Sequence, residues 1–305
     1  MTVYLAAAGI FVCIVFLRIL YETHTFRVTR YEVRSDKFPE MMKDWKIVFL
    51  SDLHNQEYGE KNQKLIDAIR KERPDLILVG GDMLIRGEEA EIFPAVRFME
   101  AMTKICPVYC ANGNHEQQMK EGMERYGDTY ANYRAHLVSH GVHMLENETA
   151  LLTIGGMESE ISGIEIPVRY YGKGLPWKGK KKFEGADVEE LQKKMESSRD
   201  RLGKEEPYRI FLVHQPLYAE EYEKWGADLI LCGHLHGGIV RLPFLGGVIS
   251  PQLTLFPKYS GGHYKKKESD IIVSKGLGTH SFTVRLFNRA EVVVITGKKK
   301  NQRPE

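Results

Sequence analysis

The chain has 305 residues, 43% of them hydrophobic and 28% charged, which supplies one large core or two small ones and excludes bulk disorder. Lys and Arg number 43 against 41 Asp and Glu, a formal net charge of +2, so composition indicates no nucleic-acid partner. The four cysteines, Cys13, Cys106, Cys110 and Cys232, form no C-x-x-C pair, which excludes a disulfide scaffold, thioredoxin chemistry and a cysteine zinc ribbon.

Met1 to Leu17 carries no charged side chain, and Ile19, Leu20 and Tyr21 follow Arg18. About 20 helical residues cross a bilayer core of about 30 Å, so residues 1–21 read as a single transmembrane anchor. A cleaved signal peptide needs small residues after its apolar stretch, but Ala6, Ala7 and Ala8 lie within it. A buried N-terminal helix is the other alternative. Arg18, Arg27, Arg30, Arg34 and Lys37 all lie downstream, which predicts a body facing the cytoplasm. Residues 22–44 read as a juxtamembrane linker.

Short apolar runs at 46–51, 76–79, 107–110, 209–213 and 228–232 predict buried strands. Residues 61–72 and 88–103 have helical spacing, so the body reads as α/β with crossover connections. Residues 167–206 are insertion-like: a loop with Lys173, Lys178, Lys180, Lys181 and Lys182 leads into a charged helix over 187–202. That lysine run reads either as a solvated loop or as a phosphate or membrane contact. Later, 271–274, 281–287 and 291–296 predict antiparallel strands, and 297–305 a basic tail.

The chemistry gathers at strand ends. Asp52-Leu-His54 ends the first strand and Asp82 follows the second. Asn114-His115 follows the third, His214 ends the fourth, and His234-Leu-His236 follows the fifth. Ligands of open α/β sheets bind outside the carboxyl ends of strands, so distant residues meet there. Alternation in extended chain would aim Asp52 with His54, and His234 with His236, to one side. Oxygen and imidazole donors without thiolate suit Mn, Fe or Zn. With His115 set apart, seven such donors exceed one ion and suit two, with one carboxylate bridging.

The set Asp-x-His, Gly-Asp, Gly-Asn-His-Glu, His and Gly-His-x-His resembles the calcineurin-like metallophosphoesterase superfamily, over roughly residues 45–296. The N-terminal apolar segment, Gly233-His-Leu-His-Gly-Gly and the runs Leu242-Pro-Phe and Phe256-Pro-Lys-Tyr-Ser-Gly-Gly are similar to a bacterial membrane-anchored phosphodiesterase subgroup, itself similar to UDP-2,3-diacylglucosamine pyrophosphatases. Ile239 departs from the Gln common there. The resemblance implies a four-layer αββα sandwich holding two divalent ions per chain, Mn first, with Fe or Zn as alternatives. Asp52, His54 and His236 would hold one ion and Asn114, His214 and His234 the other. Asp82 would bridge, and His115 would be catalytic without being a ligand.

The implied reaction is hydrolysis of a phosphodiester or pyrophosphate bond in an amphipathic or nucleotide-linked substrate, by a hydroxide bridging the metals. The alternatives are a phosphatase acting on phosphoproteins or small monoesters, and a metal-bearing scaffold without catalysis. A protonated His115 would face the phosphoryl or leaving oxygen, with Asp52 as its partner. Glu116 would orient a neighbour and Asn55 would line the site. His24, His136, His140, His143, His263 and His280 read as surface or satisfied core. The apolar run 242–256 reads either as core of a second sheet or as a loop for a lipid-linked substrate.

Overall fold

A computed structural model describes residues 1–39, 45–171, 187, 189–191, 193, 206–279 and 283–300. The chain opens with helix α1 (Thr2–His24) and strand β1 (Phe26–Ser35). Then come β2 (Ile47–Leu50), α2 (Gln63–Glu72), β3 (Leu76–Val79), α3 (Phe93–Thr103) and β4 (Val108–Cys110). Helices α4 (Asn114–Glu121), α5 (Met123–Tyr126) and α6 (Thr129–Ser139) precede β5 (Val142–Met144), β6 (Thr149–Ile154) and β7 (Met157–Ile164). The second half supplies β8 (Tyr208–Val213), a helix at Ala219–Lys224, β9 (Leu229–Cys232), β10 (Val240–Leu242), β11 (Gly246–Ile249), β12 (Gly262–Lys266), β13 (Ser269–Val273) and β14 (Ala290–Lys299).

Two six-stranded sheets form, in the orders β1-β14-β2-β3-β4-β5 and β12-β13-β9-β8-β7-β6, beside the small β10-β11 hairpin. Strand alternation sorts side chains into three cores. Ile47 and Phe49 of β2 join Ile210, Leu212, Leu229 and Leu231 between the sheets. Val48 and Leu50 face outward, onto Leu65 and Ile69 of α2 and Phe98 and Met102 of α3. On the other flank Phe211, Val213 and Ile230 pack with Tyr218, Tyr222 and Trp225. The result is the four-layer helix-sheet-sheet-helix arrangement. It sets β2, β3 and β4 of one sheet beside β8 and β9 of the other.

Several elements differ from expectation. Residues 26–35 are no linker: β1 pairs in parallel with β14 along its whole length, from Phe26 opposite Ala290 to Ser35 opposite Lys299. Short-range pattern could not show this, because the partner lies over 260 residues away. Helix α3 begins at Phe93 rather than 88, since Pro94 in its first turn favours a helix start there. β13 pairs in parallel with β9 as well as antiparallel with β12. In the stretch 281–287 no strand forms among the described residues, and Leu286 makes a single bridge to Val240. β14 extends to Lys299, into the expected tail. The lysine-rich loop and most of the helix expected at 187–202 lie outside the described residues.

Helix α1 has 23 residues, its most apolar 18-residue stretch has mean hydropathy 2.5, and it is apolar and long enough to cross a membrane. At its inner end Glu22 is buried and accepts a hydrogen bond from the main-chain N–H of Asn288 at 2.8 Å.

Removing residues 1–37 would therefore remove an edge strand of the sheet. A chain beginning at residue 22 should unfold cooperatively. One beginning at residue 38 loses at least the burial of Val33, about 1.5–3 kcal/mol, and bares the edge of β14. Thermal melts and size exclusion should show a lower Tm and aggregation for the shorter chain; equal melts would contradict a structural role for β1.

Candidate metal centre

Asp52 and His54 follow β2, Asp82 follows β3, and Asn114 and His115 open α4 after β4; His214 follows β8, and His234 and His236 follow β9. All eight are buried. Three groups bring their donor atoms within 4.8 Å of one another: Asp52, His54 and His236; His54, Asp82 and His115; and Asp82, His214 and His234. Asp82 Oδ2 stands between two groups, 3.8 Å from His54 Nε2 and 3.1 Å from His214 Nε2. Asp52 Oδ1 lies 3.5 Å from His236 Nε2 and 3.7 Å from His214 Nε2.

Strand alternation does not produce these pairs. β2 ends at Leu50 and β9 at Cys232, and Asp52, His54, Asp82, His234 and His236 all have positive φ, between 47° and 72°. Non-glycine residues held so cost of order 1–3 kcal/mol each, which the surroundings must offset. Main-chain bonds do part of this: Asp52 N–H donates to Gly81 O, His54 N–H to Asp82 O and Asn55 N–H to Met83 O, at 2.9–3.1 Å. Two glycines permit the approach. A methyl group on Gly113 would sit 2.2 Å from Asp82 Oδ1, and one on Gly233 2.3 Å from Asp52 Oδ2.

With His214 neutral, Asp82 Oδ2, Asn114 Oδ1 and His214 Nε2 are buried and make no hydrogen bond among the described residues; a proton on His214 Nε2 would point at Asp82 Oδ2, 3.1 Å away. An unsatisfied buried polar atom costs about 1–3 kcal/mol. Three lone-pair donors left so in adjoining loops fit bound cations. The imidazole tautomers agree. His214 Nδ1 donates to Gly80 O at 2.7 Å and His236 Nδ1 to Gly278 O at 3.0 Å, which leaves each Nε2 lone pair facing the carboxylates. His115 is the reverse. Its Nδ1 accepts from the main-chain N–H of Arg86 at 2.9 Å, so its proton sits on Nε2. The Arg86 guanidinium also approaches Nε2, but at 3.4 Å, and the shorter main-chain contact sets the tautomer. This corrects two expectations. The ring is not doubly protonated, and among the described residues its carboxylate contact is Asp82 Oδ2 at 4.0 Å, not Asp52.

The charges are tightly balanced. Burial pushes Asp52 up to about 6, against the pull of His214. Burial also acts to raise Asp82, but His214 foremost holds it well below the usual carboxylate range. Burial disfavours a charged His214, yet Asp82 and Asp52 raise it to about 10. A proton on His214 thus occupies the role a divalent ion would take.

Further residues complete the surroundings: Glu116, expected from its motif, and Ser51, Gln252 and Asn288, which no motif marks. The Glu116 carboxylate accepts from the main-chain N–H groups of Asp82, Met83 and Gly113 at 2.8–3.0 Å, which ties the second loop to the third. Ser51 Oγ donates to Asp52 Oδ2 at 2.6 Å. Gln252 Nε2 lies 3.0 Å from His234 Nε2, and its Oε1 is buried without a partner. With the amide turned over, Oε1 accepts a hydrogen bond from His234 Nε2–H and leaves Nδ1 for an ion. Asn288 Nδ2 donates to the main-chain oxygen of His236 at 2.6 Å. Asn55 instead donates its amide to Glu91 O. None of the other described histidines joins a metal-capable group, and His263 pairs with Asp270 at 2.7 Å. His280 lies outside the described residues.

The chain belongs to the calcineurin-like phosphoesterase family, whose family model matches residues 46–238. It is 27% identical to the uncharacterized metallophosphoesterase YkuE of Bacillus subtilis (strain 168), over 92% of this chain and 88% of that one. It is 26% identical to the phosphodiesterase YaeI of Escherichia coli (strain K12), over 85% and 84%. A Bos taurus transmembrane protein with metallophosphoesterase domain is 27% identical over 87% of this chain and 55% of its own length. The protein is therefore a hydrolase of phosphoesters with a dinuclear site for divalent metal.

Because His214 must give up a proton to bind an ion, metal loading should release protons and weaken as pH falls. Calorimetric titration with Mn in two buffers of different ionisation enthalpy should give different heats. Identical heats would show that His214 is already neutral.

Proposed function

We propose that this chain is a membrane-anchored phosphodiesterase or pyrophosphohydrolase with two metal ions, acting on an amphipathic or nucleotide-linked substrate. The observation that carries the metal reading is Asp82, whose buried Oδ2 stands between two groups of imidazoles without a hydrogen bond. Asp52, His54 and His236 would hold one ion and Asn114, His214 and His234 the other, with Asp82 placed to serve both. Oxygen and nitrogen ligands without thiolate favour Mn, with Fe or Zn next. Two bound ions polarise phosphoryl oxygens and supply hydroxide at neutral pH.

The chain's own residues do the rest. His115 presents Nε2–H to a phosphoryl oxygen. Releasing that proton would leave an imidazolate, since Nδ1 already accepts from Arg86, so His115 acts by donating a hydrogen bond rather than by protonating the leaving group. The Arg86 guanidinium beside it supplies a second positive group for the phosphate. The diester preference is supported by the relative named a phosphodiesterase, and the amphipathic substrate by exposed Leu253, Leu255 and Phe256, which directly follow Gln252 at His234. The same features support kinship with the membrane-anchored subgroup similar to UDP-2,3-diacylglucosamine pyrophosphatases.

We read α1 as the anchor and 26–299 as the catalytic domain. Arg18 and Arg27, next to the span's end, support a cytoplasmic body. The other three flanking cations belong to the folded domain, where Arg30 pairs with Glu72, Arg34 with Glu32 and Lys37 with Asp228.

Asp82→Asn should lose at least one metal equivalent by elemental analysis and orders of magnitude in diester turnover; two full equivalents with near-normal turnover would sink the bridging role. Wild type should hydrolyse aryl diesters faster than aryl monoesters, and the reverse ranking would favour a monoesterase.

His115→Ala should keep its metals and lose kcat by a similar factor, about 10²–10³, across a series of leaving groups, as for removal of one oxyanion donor. A loss that grows as the leaving group worsens would restore the proton-donor role.

A further inference from the structure

The β10-β11 hairpin and its neighbours expose an unusual set of side chains. Residues 286–287 run beside β10, through a bridge from Leu286 to Val240. Residues 255–256 run beside β11, through a bridge from Leu255 to Ile249 and a bond from Phe256 N–H to Val248 O at 2.8 Å. The hairpin with its turn and the segments 253–256 and 286–287 carry Phe244, Leu245, Leu253, Leu255, Phe256 and Phe287, each about half exposed or more, and Phe244 entirely so. Phe244, Leu253, Phe256 and Phe287 also have positive φ, at turn positions where Gly or Asn fits with less strain. Among the described residues neither packing nor turn chemistry accounts for large apolar groups there. Elsewhere in the described body, exposed large apolar side chains are scattered, as at Met123, Val138 and Leu151. Scattered ones are ordinary; a contiguous set marks a contact surface.

The base of α1 joins this face. Glu22 accepts from Asn288 N–H, the Arg18 guanidinium lies 5.7 Å from the Phe287 ring centre, and Arg289 lies 5.2 Å from that of Tyr21. Arg27, Arg241 and Lys258 line an open groove together with Phe244, Leu245 and Phe287. Apolar tips among cations match a lipid surface with anionic headgroups.

We propose that this face is a second membrane contact: its apolar tips enter the bilayer that α1 spans, and Arg27, Arg241 and Lys258 meet lipid phosphates. The inference rests on reading α1 as a membrane span. It adds that the body lies down on the lipid rather than swinging from its anchor. Asn288, which binds both Glu22 and the His236 main chain, and Gln252, next to exposed Leu253, join the contact directly to the metal loops. The hydrolytic centre is thereby held beside headgroup phosphoesters.

The test uses the full chain in vesicles of phosphatidylcholine and phosphatidylglycerol, with one environment-sensitive fluorophore on a single thiol. Cys110 and Cys232 are buried, and burial pushes the Cys106 thiol up to about 12, so labelling at neutral pH is confined to exposed positions. Native Cys13, exposed on α1, reports the span. In a Cys13→Ser background, Phe244→Cys reports the proposed contact. Leu151→Cys, on the opposite edge strand β6, is the control. The label at 244 should shift to the blue, lose emission to nitroxide-bearing lipids and resist aqueous iodide, while the label at 151 does the opposite. If the label at 13 is quenched by lipid nitroxide and that at 244 only by iodide, the contact is wrong and the span stands. If neither is quenched by lipid, the span reading fails too. A label at 244 shielded from both quenchers shows a protein contact, with a second copy or another chain, and also overturns the proposal.

Discussion

Two carboxylates, Asp52 and Asp82, are buried at the seam between two sheets, and much of the surrounding structure answers to their charge. Taking such groups from water is costly unless positive charge and donors surround them. Ser51 and the His234 main chain donate to Asp52, and the His115 main chain donates to Asp82. Imidazoles from both sheets close in on the remaining oxygens. The same carboxylates push His214 up to about 10, against its burial. The same arrangement that makes the metal-free site electrostatically tense makes it receptive to divalent cations, so stability and chemistry draw on one balance.

That balance needs rigid delivery. The loops after β2 and β3 are bonded main chain to main chain, and Glu116 joins the latter to the loop after β4 with three further bonds. Loop 274–278 closes over the first: Leu277 N–H donates to Ser51 O and Gly278 N–H to Asp52 O. Side chains in strained backbone conformations are held by many short-range bonds rather than by long helices. Glycines at 113 and 233 let main chain pass within contact of the carboxylates.

The N-terminal segment belongs to this construction. β1 completes a sheet, Thr29 donates to Glu291 at 2.6 Å, and Glu22 of α1 holds the loop whose Asn288 supports His236. Helix α1 thus reaches the metal loops through two hydrogen bonds in series. A helix joined to the body only by a flexible linker could not transmit orientation in this way.

Local pattern in the sequence determined the strands around the site, because four- to six-residue apolar runs buried on both faces need no partner to be recognised. It also determined the chemical class, because Asp-x-His, Gly-Asp, Gly-Asn-His-Glu and Gly-His-x-His combine oxygen and imidazole donors just after those runs. What only tertiary structure decided lies in non-local contacts and dihedral angles. β1 is legible as a strand only once β14 lies beside it. The donor pairs point together through positive φ, not through the alternation their spacing suggests. The tautomer of His115 depends on an N–H from Arg86, 29 residues earlier, and the orientation of His236 on Gly278, 42 residues later. Residue types state which bonds a side chain can make; the folded chain selects which partner arrives, and with it which nitrogen holds the proton.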